Sequence, residues 1–162
     1  MDLYLSIVKL VDHLHRICQL SHLDLKLENF IVRQDTGQPV LIDFGMAEEL
    51  TWLGETVKGT NAYMAPEVGY HNRHKEFQWK SGPADMWSLG IILYALVFQR
   101  FPYAWDAITK RMIYVPIQKQ IKAGQKYTKS TDTNLVKLIE MVIVEHPSER
   151  ASSLDVIKFI EN

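Results

Sequence analysis

The sequence predicts a mainly α-helical fold carrying small β-hairpins, on three observations. From Asp2 to about Leu20 apolar residues fall at Leu3, Ile7, Leu10, Val11, Leu14, Ile17 and Cys18, the spacing of a helix with one buried face. Gly82-Pro83 opens a near-continuous apolar stretch to about Phe98, which reads as a helix buried on most sides. Two short apolar runs, Phe30-Ile31-Val32 and Val40-Leu41-Ile42, are joined by a Thr36-Gly37 turn signal and read as a hairpin. With 162 residues and 47% hydrophobic content, one globular domain with a real core is the simplest organisation.

The first helix carries His13 and His15, which lie two apart, point to different sides and are expected at the surface or its boundary. Cys18, the single cysteine, is expected to be a small buried hydrophobe on that helix. It cannot form an internal disulfide, so a reducing, cytoplasmic compartment is expected. A net charge of −1 offers no basic footprint for nucleic acid and no attraction to anionic membrane. The N-terminus lacks the basic region of a signal peptide, and the apolar run from about Trp87 to Phe98 is too short to span a bilayer, so a soluble chain is expected.

Chemistry concentrates between Ser21 and Gly45, SHLDLKLENFIVRQDTGQPVLIDFG. A carboxylate (Asp43) and a carboxamide oxygen (Asn29) are hard donors suited to Mg²⁺, an ion that takes few protein ligands and completes its shell with waters and phosphate oxygens. Asp24 can orient or accept a proton from a hydroxyl, and Lys26 offers a point charge to a phosphoryl group. The combination points to phosphoryl transfer.

These residues resemble the eukaryotic protein kinases. His22, Asp24, Leu25 and Asn29 match the catalytic loop H-R-D-L-x-x-x-N, Asp43-Phe44-Gly45 match D-F-G, and Ala65-Pro66-Glu67 match A-P-E. Leu23 departs from the pattern, standing where the family usually has arginine. The resemblance implies Asp24 as catalytic base, Lys26 on the γ-phosphate of ATP, and Asn29 and Asp43 on Mg²⁺. It gives His22 a structural place beside Phe44 and packs Ile31 against the adenine ring. It makes Met46 to Met64 an activation loop whose hydroxyls are Thr51, Thr56 and Thr60. Thr56 resembles the usual phosphosite, but with Leu23 in place of arginine and Glu48 and Glu49 nearby, an added phosphate would meet repulsion, so activity is expected not to depend on it. Gly59 to Glu67 resembles the substrate-facing loop of serine/threonine kinases, with the Thr60 hydroxyl bonding Asp24 and Lys26.

Further matches are architectural. Asp85 on the apolar helix resembles the aspartate that holds the catalytic-loop backbone, and Arg150 the arginine that pairs with the glutamate of A-P-E, here Glu67. Ala95 replaces one of two acids that favour basic substrates while Glu28 retains the other, so no strong arginine preference is expected. The run His71 to Glu76 is expected to be a solvated loop, since nothing nearby completes a metal set around His71 and His74. From Phe101 onward helices are expected, one ending near Ala123-Gly124, one from about Asp132 to Val144, and one after Ser152, where Ser152-x-x-Asp155 is a capping pattern.

The sequence has no G-x-G-x-x-G and no V-A-I-K-like strand. The resemblance therefore covers residues 1–162 as the helical C-terminal lobe of a kinase and leaves out the roof of the ATP site. Two roles are open: a fragment of a kinase that phosphorylates protein serine and threonine, or a non-catalytic lobe that docks on a separate kinase or N-lobe partner. Ile31 and Phe44 are expected to be exposed, and Mg-ATP binding by the chain alone to be poor.

Overall fold

Helix α3 (Ser81–Phe98) is the element on which the rest packs. Its apolar residues fall on every side, and Trp87, Leu89, Ile91, Ile92, Leu93 and Tyr94 are all fully or almost fully buried. The computed structural model describes residues 1–71, 78–106, 111–114 and 133–162. By length and composition α3 could cross a membrane, but 67% of it is buried inside the fold, as suits a core helix.

Helix α1 (Asp2–Arg16) lays Ile7, Val8, Val11 and Leu14 on this core, and its Tyr4 hydroxyl donates to the Leu89 carbonyl at 3.3 Å. Helix α4 (Thr133–Val142) packs on α3, and helix α5 (Ser153–Glu161) packs on α1 and on α4. The α4 end comes so close to α3 that a Cβ at Gly90 would lie 2.5 Å from Ile143 Cγ1 and 2.8 Å from Val142 Cγ2. The expected capping box is present on α5: Ser152 Oγ accepts from the Asp155 N–H, and Asp155 Oδ2 from the Ser152 N–H at 3.0 Å. Asp12 ties α1 to α5 by accepting from Ser153 Oγ at 3.0 Å while holding Arg16 with two bonds of 2.7 Å.

Small two-stranded antiparallel sheets decorate the helices. Strand β1 (Leu20–Ser21) pairs with β4 (Glu48–Glu49), β2 (Phe30–Val32) with β3 (Pro39–Leu41), β5 (Leu53–Gly54) with β6 (Trp79–Lys80), and β7 (Tyr103–Asp106) with β8 (Arg111–Tyr114). The β2–β3 hairpin is the one the sequence predicts, and Gly37 in its turn has φ 68°, a conformation that favours glycine. Helix α2 (Pro66–His71) lies between β5 and β6 in sequence.

Four expectations are corrected. Helix α1 ends at Arg16, the Cys18 N–H turns back to the His13 carbonyl, and Gln19 reverses the chain at φ 56°; Cys18 is therefore exposed and Ile17 is 64% exposed. His15 is buried, because it continues the row Tyr4, Val8, Val11 on the inner face of α1. Among the described residues the chain after Phe101 first forms the β7–β8 pair, since Tyr-Ala-Trp and Met-Ile-Tyr are strand-forming runs, and Tyr114 packs edge-on to Trp87 at 5.4 Å. Of the polar run expected as a loop, His71 instead closes α2. The rest of that run, and the helix expected to end near Ala123-Gly124, lie outside the described residues.

Arg150 joins α2 to α3 and α4. Its guanidinium meets Glu67 through two bonds, 2.7 and 3.1 Å, donates to the Val144 and Pro83 carbonyls, and lies 5.2 Å over the Trp87 ring. Glu67→Ala strips a buried guanidinium of its counter-charge. Because Glu67 is 13% exposed and the carbonyl acceptors remain, the expected loss is about 3 kcal/mol, the low end for such pairs, read from the urea midpoint. An unchanged midpoint would refute the pairing.

Candidate active site

Three backbone constraints shape the loop after β1. Asp85, fully buried on α3, accepts from the His22 N–H at 2.7 Å through Oδ2 and from the Leu23 N–H at 2.8 Å through Oδ1. His15 Nε2 lies 2.9 Å from the same Oδ2, so α1 and α3 grip the loop together. Leu23 is held at φ 64°, an uncommon conformation for a residue with a branched side chain, and its side chain is buried.

The His22 ring is buried and structural. Its Nδ1 accepts from the Asp24 N–H at 3.3 Å, which leaves Nε2 to donate to the Ile42 carbonyl at 3.0 Å. The ring also meets Phe44 edge-on at 5.0 Å. His22 thus fastens the loop to the strand end that bears Asp43.

Asp24 sits at the centre of a converging polar set. Thr60 Oγ1 donates to Oδ1 at 2.7 Å, Lys26 Nζ to Oδ2 at 2.8 Å and to Thr60 Oγ1 at 3.1 Å. Asn29 Nδ2 donates to the Asp24 carbonyl at 2.9 Å and lies 3.4 Å from Oδ2. Burial pushes the Asp24 carboxyl up, but the bonds from Lys26 and Thr60 and the Lys26 charge outweigh it, so the group stays below the usual carboxylate range and ionised near neutrality. The bond to Asp24 in turn raises Lys26.

The hairpin brings the second acid alongside. Phe30 pairs with Leu41, and the ladder continues with the Ile42 N–H donating to the Asn29 carbonyl at 2.9 Å, one residue before Asp43. Asp43, at φ 61°, is exposed and accepts from the Gly45 N–H at 3.3 Å. Ile31 and Phe44 are 53% and 48% exposed. Every site residue expected from sequence (Asp24, Lys26, Asn29, Ile31, Asp43 and Thr60) belongs to this loop, this hairpin or the segment returning to them.

Sequence reasoning missed some supporting residues. Ser81 Oγ lies 2.9 and 3.1 Å from the Leu50 and Glu49 carbonyls and takes a bond from Ser21 Oγ at 3.0 Å. Ser88 Oγ donates to the Tyr63 carbonyl at 2.8 Å. Gly59, at φ 97°, sits where a Cβ would be 2.6 Å from the Leu23 carbonyl oxygen, which sets Thr60 against Asp24. The inner-face register of His15 was the one available signal for its role.

A pH dependence follows from two of the acids held low, Asp12 and Asp24. The Arg16 bond, then Ser153, lowers Asp12, as Lys26 and Thr60 lower Asp24. Both take up protons more readily unfolded than folded, so their stabilisation is complete above the unfolded carboxylate range and is lost as pH falls through the folded values. Urea midpoints are expected to hold as pH drops to about 5 and to fall below about 4, with Asp12→Asn flattening the fall. Identical acid limbs in the two proteins would contradict the assignment.

Comparison with known proteins agrees with this geometry. The family profile described as "Protein kinase domain" matches residues 2–159. "Serine/threonine-protein kinase 40" of Homo sapiens is 30% identical over 165 residues, covering 96% of this chain and 34% of that protein, and its Mus musculus counterpart is equally similar. "Mitosis inducer protein kinase cdr1" of Schizosaccharomyces pombe is 39% identical over 103 residues, covering 62% of this chain and 16% of that protein. The chain spans about a third of the length of the first of these relatives. A match over nearly every residue, joined to a loop, hairpin and returning segment that meet at Asp24, means that this chain belongs to the protein kinase domain family.

Proposed function

We propose that the chain is the helical lobe of an ATP-dependent serine/threonine protein kinase and carries its acceptor-side machinery. One observation supports this most: the ionised Asp24 carboxylate lies between the Lys26 ammonium and the Thr60 hydroxyl, at 2.8 and 2.7 Å. In this reading Asp24 orients the hydroxyl of a protein serine or threonine and takes its proton, while Thr60 and Lys26 fix the carboxylate. Lys26 remains close enough to share its charge with a transferring phosphoryl group.

Members of the family generally use ATP and Mg²⁺. The residues here fit the ion. Asn29 commits its amide nitrogen to Asp24, which leaves Oδ1 as the amide's acceptor, and Asp43 presents an exposed carboxylate. Two hard oxygen donors suit an ion that otherwise keeps water and phosphate. Bound Mg-ATP supplies the phosphoryl group and part of its charge neutralisation; Ile31 offers an apolar contact for the base.

The test is transfer of labelled γ-phosphate from ATP to a serine-containing protein, by this chain alone and by the chain joined to a glycine-rich, lysine-bearing nucleotide lobe. Label on serine or threonine in the joined protein, lost in Asp43→Asn, is expected, with little from the chain alone. A folded joined protein that transfers nothing would overturn the reading. The exposed Ile31, Val32, Val40 and Phe44 would then favour a docking lobe.

A further inference from the structure

The segment from Met46 to Thr60 is held against the helices by aromatic packing where a charge clamp would otherwise be needed. Its first tie is the β1–β4 pair, Leu20 opposite Glu49 and Ser21 opposite Glu48, with Ser81 Oγ against the carbonyls of Glu49 and Leu50. Its second is the β5–β6 pair, Leu53 opposite Lys80 and Gly54 opposite Trp79. These strands come from opposite ends of the segment's surroundings, one preceding the catalytic loop and one leading into α3.

The side chains at the second tie interlock. The buried Trp79 indole meets Trp52 edge-on, centroids 5.3 Å apart and planes at 88°. Gly54 lies flat on the same indole: a Cβ there would fall 2.0 to 2.5 Å from three ring atoms. The Lys58 ammonium stands 4.8 Å from the Trp52 ring centroid, pairs with Glu48 and lies 3.4 Å from the Met46 carbonyl. The Gly59 N–H approaches Met46 Sδ at 3.2 Å, and the next residue, Thr60, bonds Asp24. A continuous chain of contacts thus runs from Trp79 to the Asp24 carboxylate.

Leu23 is buried where a clamping arginine would stand, Lys58 is engaged with Trp52 and Glu48, and Thr56 is exposed beyond them. We propose that Trp79, Trp52 and Gly54 form a positioning latch that fixes residues 46–60, and through them Thr60 on Asp24, with no phosphate on Thr51 or Thr56 required. Only the catalytic consequence of the latch rests on the kinase reading; its effect on the segment does not.

Hydrogen exchange on the unphosphorylated chain tests it. Amides of residues 48–54 are expected to be protected, and Trp52→Ala to speed their exchange by on the order of tenfold or more. Amides of residues 84–98 in α3 serve as the control for global unfolding. Trp52→Phe is expected to keep most of the protection and Thr56→Ala all of it. Lys58→Ala, which leaves the core intact, supplies a milder variant with acceleration confined to the end of the segment near Thr60.

Exchange at free-peptide rates in the unmodified protein, protection only after Thr56 is phosphorylated, or no response to both Trp52→Ala and Lys58→Ala would each overturn the latch. In a preparation that transfers phosphate, Trp52→Ala is expected to lower kcat with KM for ATP unchanged, and Trp52→Phe to restore it. The exchange result stands whether or not transfer is detected, so failure of the latch and failure of the kinase reading are told apart.

Discussion

Asp24→Asn, made in the chain joined to a nucleotide lobe, is expected on the proposed reading to lower phosphate transfer by about 10²–10⁴-fold, the range for a positioned general base, with KM for ATP unchanged. The amide cannot take a proton. It also cannot satisfy the carboxylate's present partners, since both oxygens now accept from donors: Thr60 Oγ1 on one side and Lys26 Nζ on the other. An NH₂ turned toward Lys26 would face an ammonium that can only donate and push it away, and one turned toward Thr60 would reverse the direction of that hydroxyl's bond. Single-turnover transfer separates this loss from changes in nucleotide binding. A rate within a few fold of the parent would mean that the proton goes elsewhere.

Asp85→Ala should act on stability and on the loop together. The fully buried carboxylate answers the backbone N–H groups of His22 and Leu23 and faces the His15 ring. Each buried donor left unanswered costs about 1–3 kcal/mol, so a loss of roughly 4 kcal/mol is expected from two amides and the disturbed ring. Asp85→Asn, which keeps one acceptor, should fall between the two. The measurement is the urea midpoint together with exchange at the His22 and Leu23 amides. A loss below about 1 kcal/mol would show that the loop holds its own shape.

Much of this arrangement was legible in the sequence, for identifiable reasons. The amphipathic period of α1, the apolar run of α3 and the Ser152 capping box depend on neighbours in the chain, and each is where the residues predict it. Asp24, Asn29 and Asp43 were legible because their spacing is itself the constraint: five residues of loop and one hairpin bring them together. Helix ends were less legible, since the period of α1 continues through Ile17 and Cys18 while the backbone does not. The β7–β8 pair was missed because no Gly, Pro, Asn or Asp turn signal stands between Asp106 and Arg111. His15, Ser81 and Trp79 work through partners about 20 to 70 residues away, and no local pattern names those partners. Gly54 is the sharpest case, since the indole that demands a glycine lies 25 positions further on.

Leu23 and Asp43 both lie in the left-handed backbone region, on either side of the site, and neither is a glycine. Such residues relax unless their surroundings hold them, at roughly 1–2 kcal/mol each. What holds Leu23 is an acid on α3 and the burial of its own side chain, both supplied by distant parts of the molecule. A synthetic peptide of residues 20–45 would contain Asp24, Lys26, Asn29 and Asp43 in their native order, and its backbone would settle into ordinary extended and turn conformations. The site is therefore not a transplantable motif: grafting the loop and hairpin onto another scaffold would carry over the chemistry of the side chains without their placement, unless α1 and α3 were brought along with them.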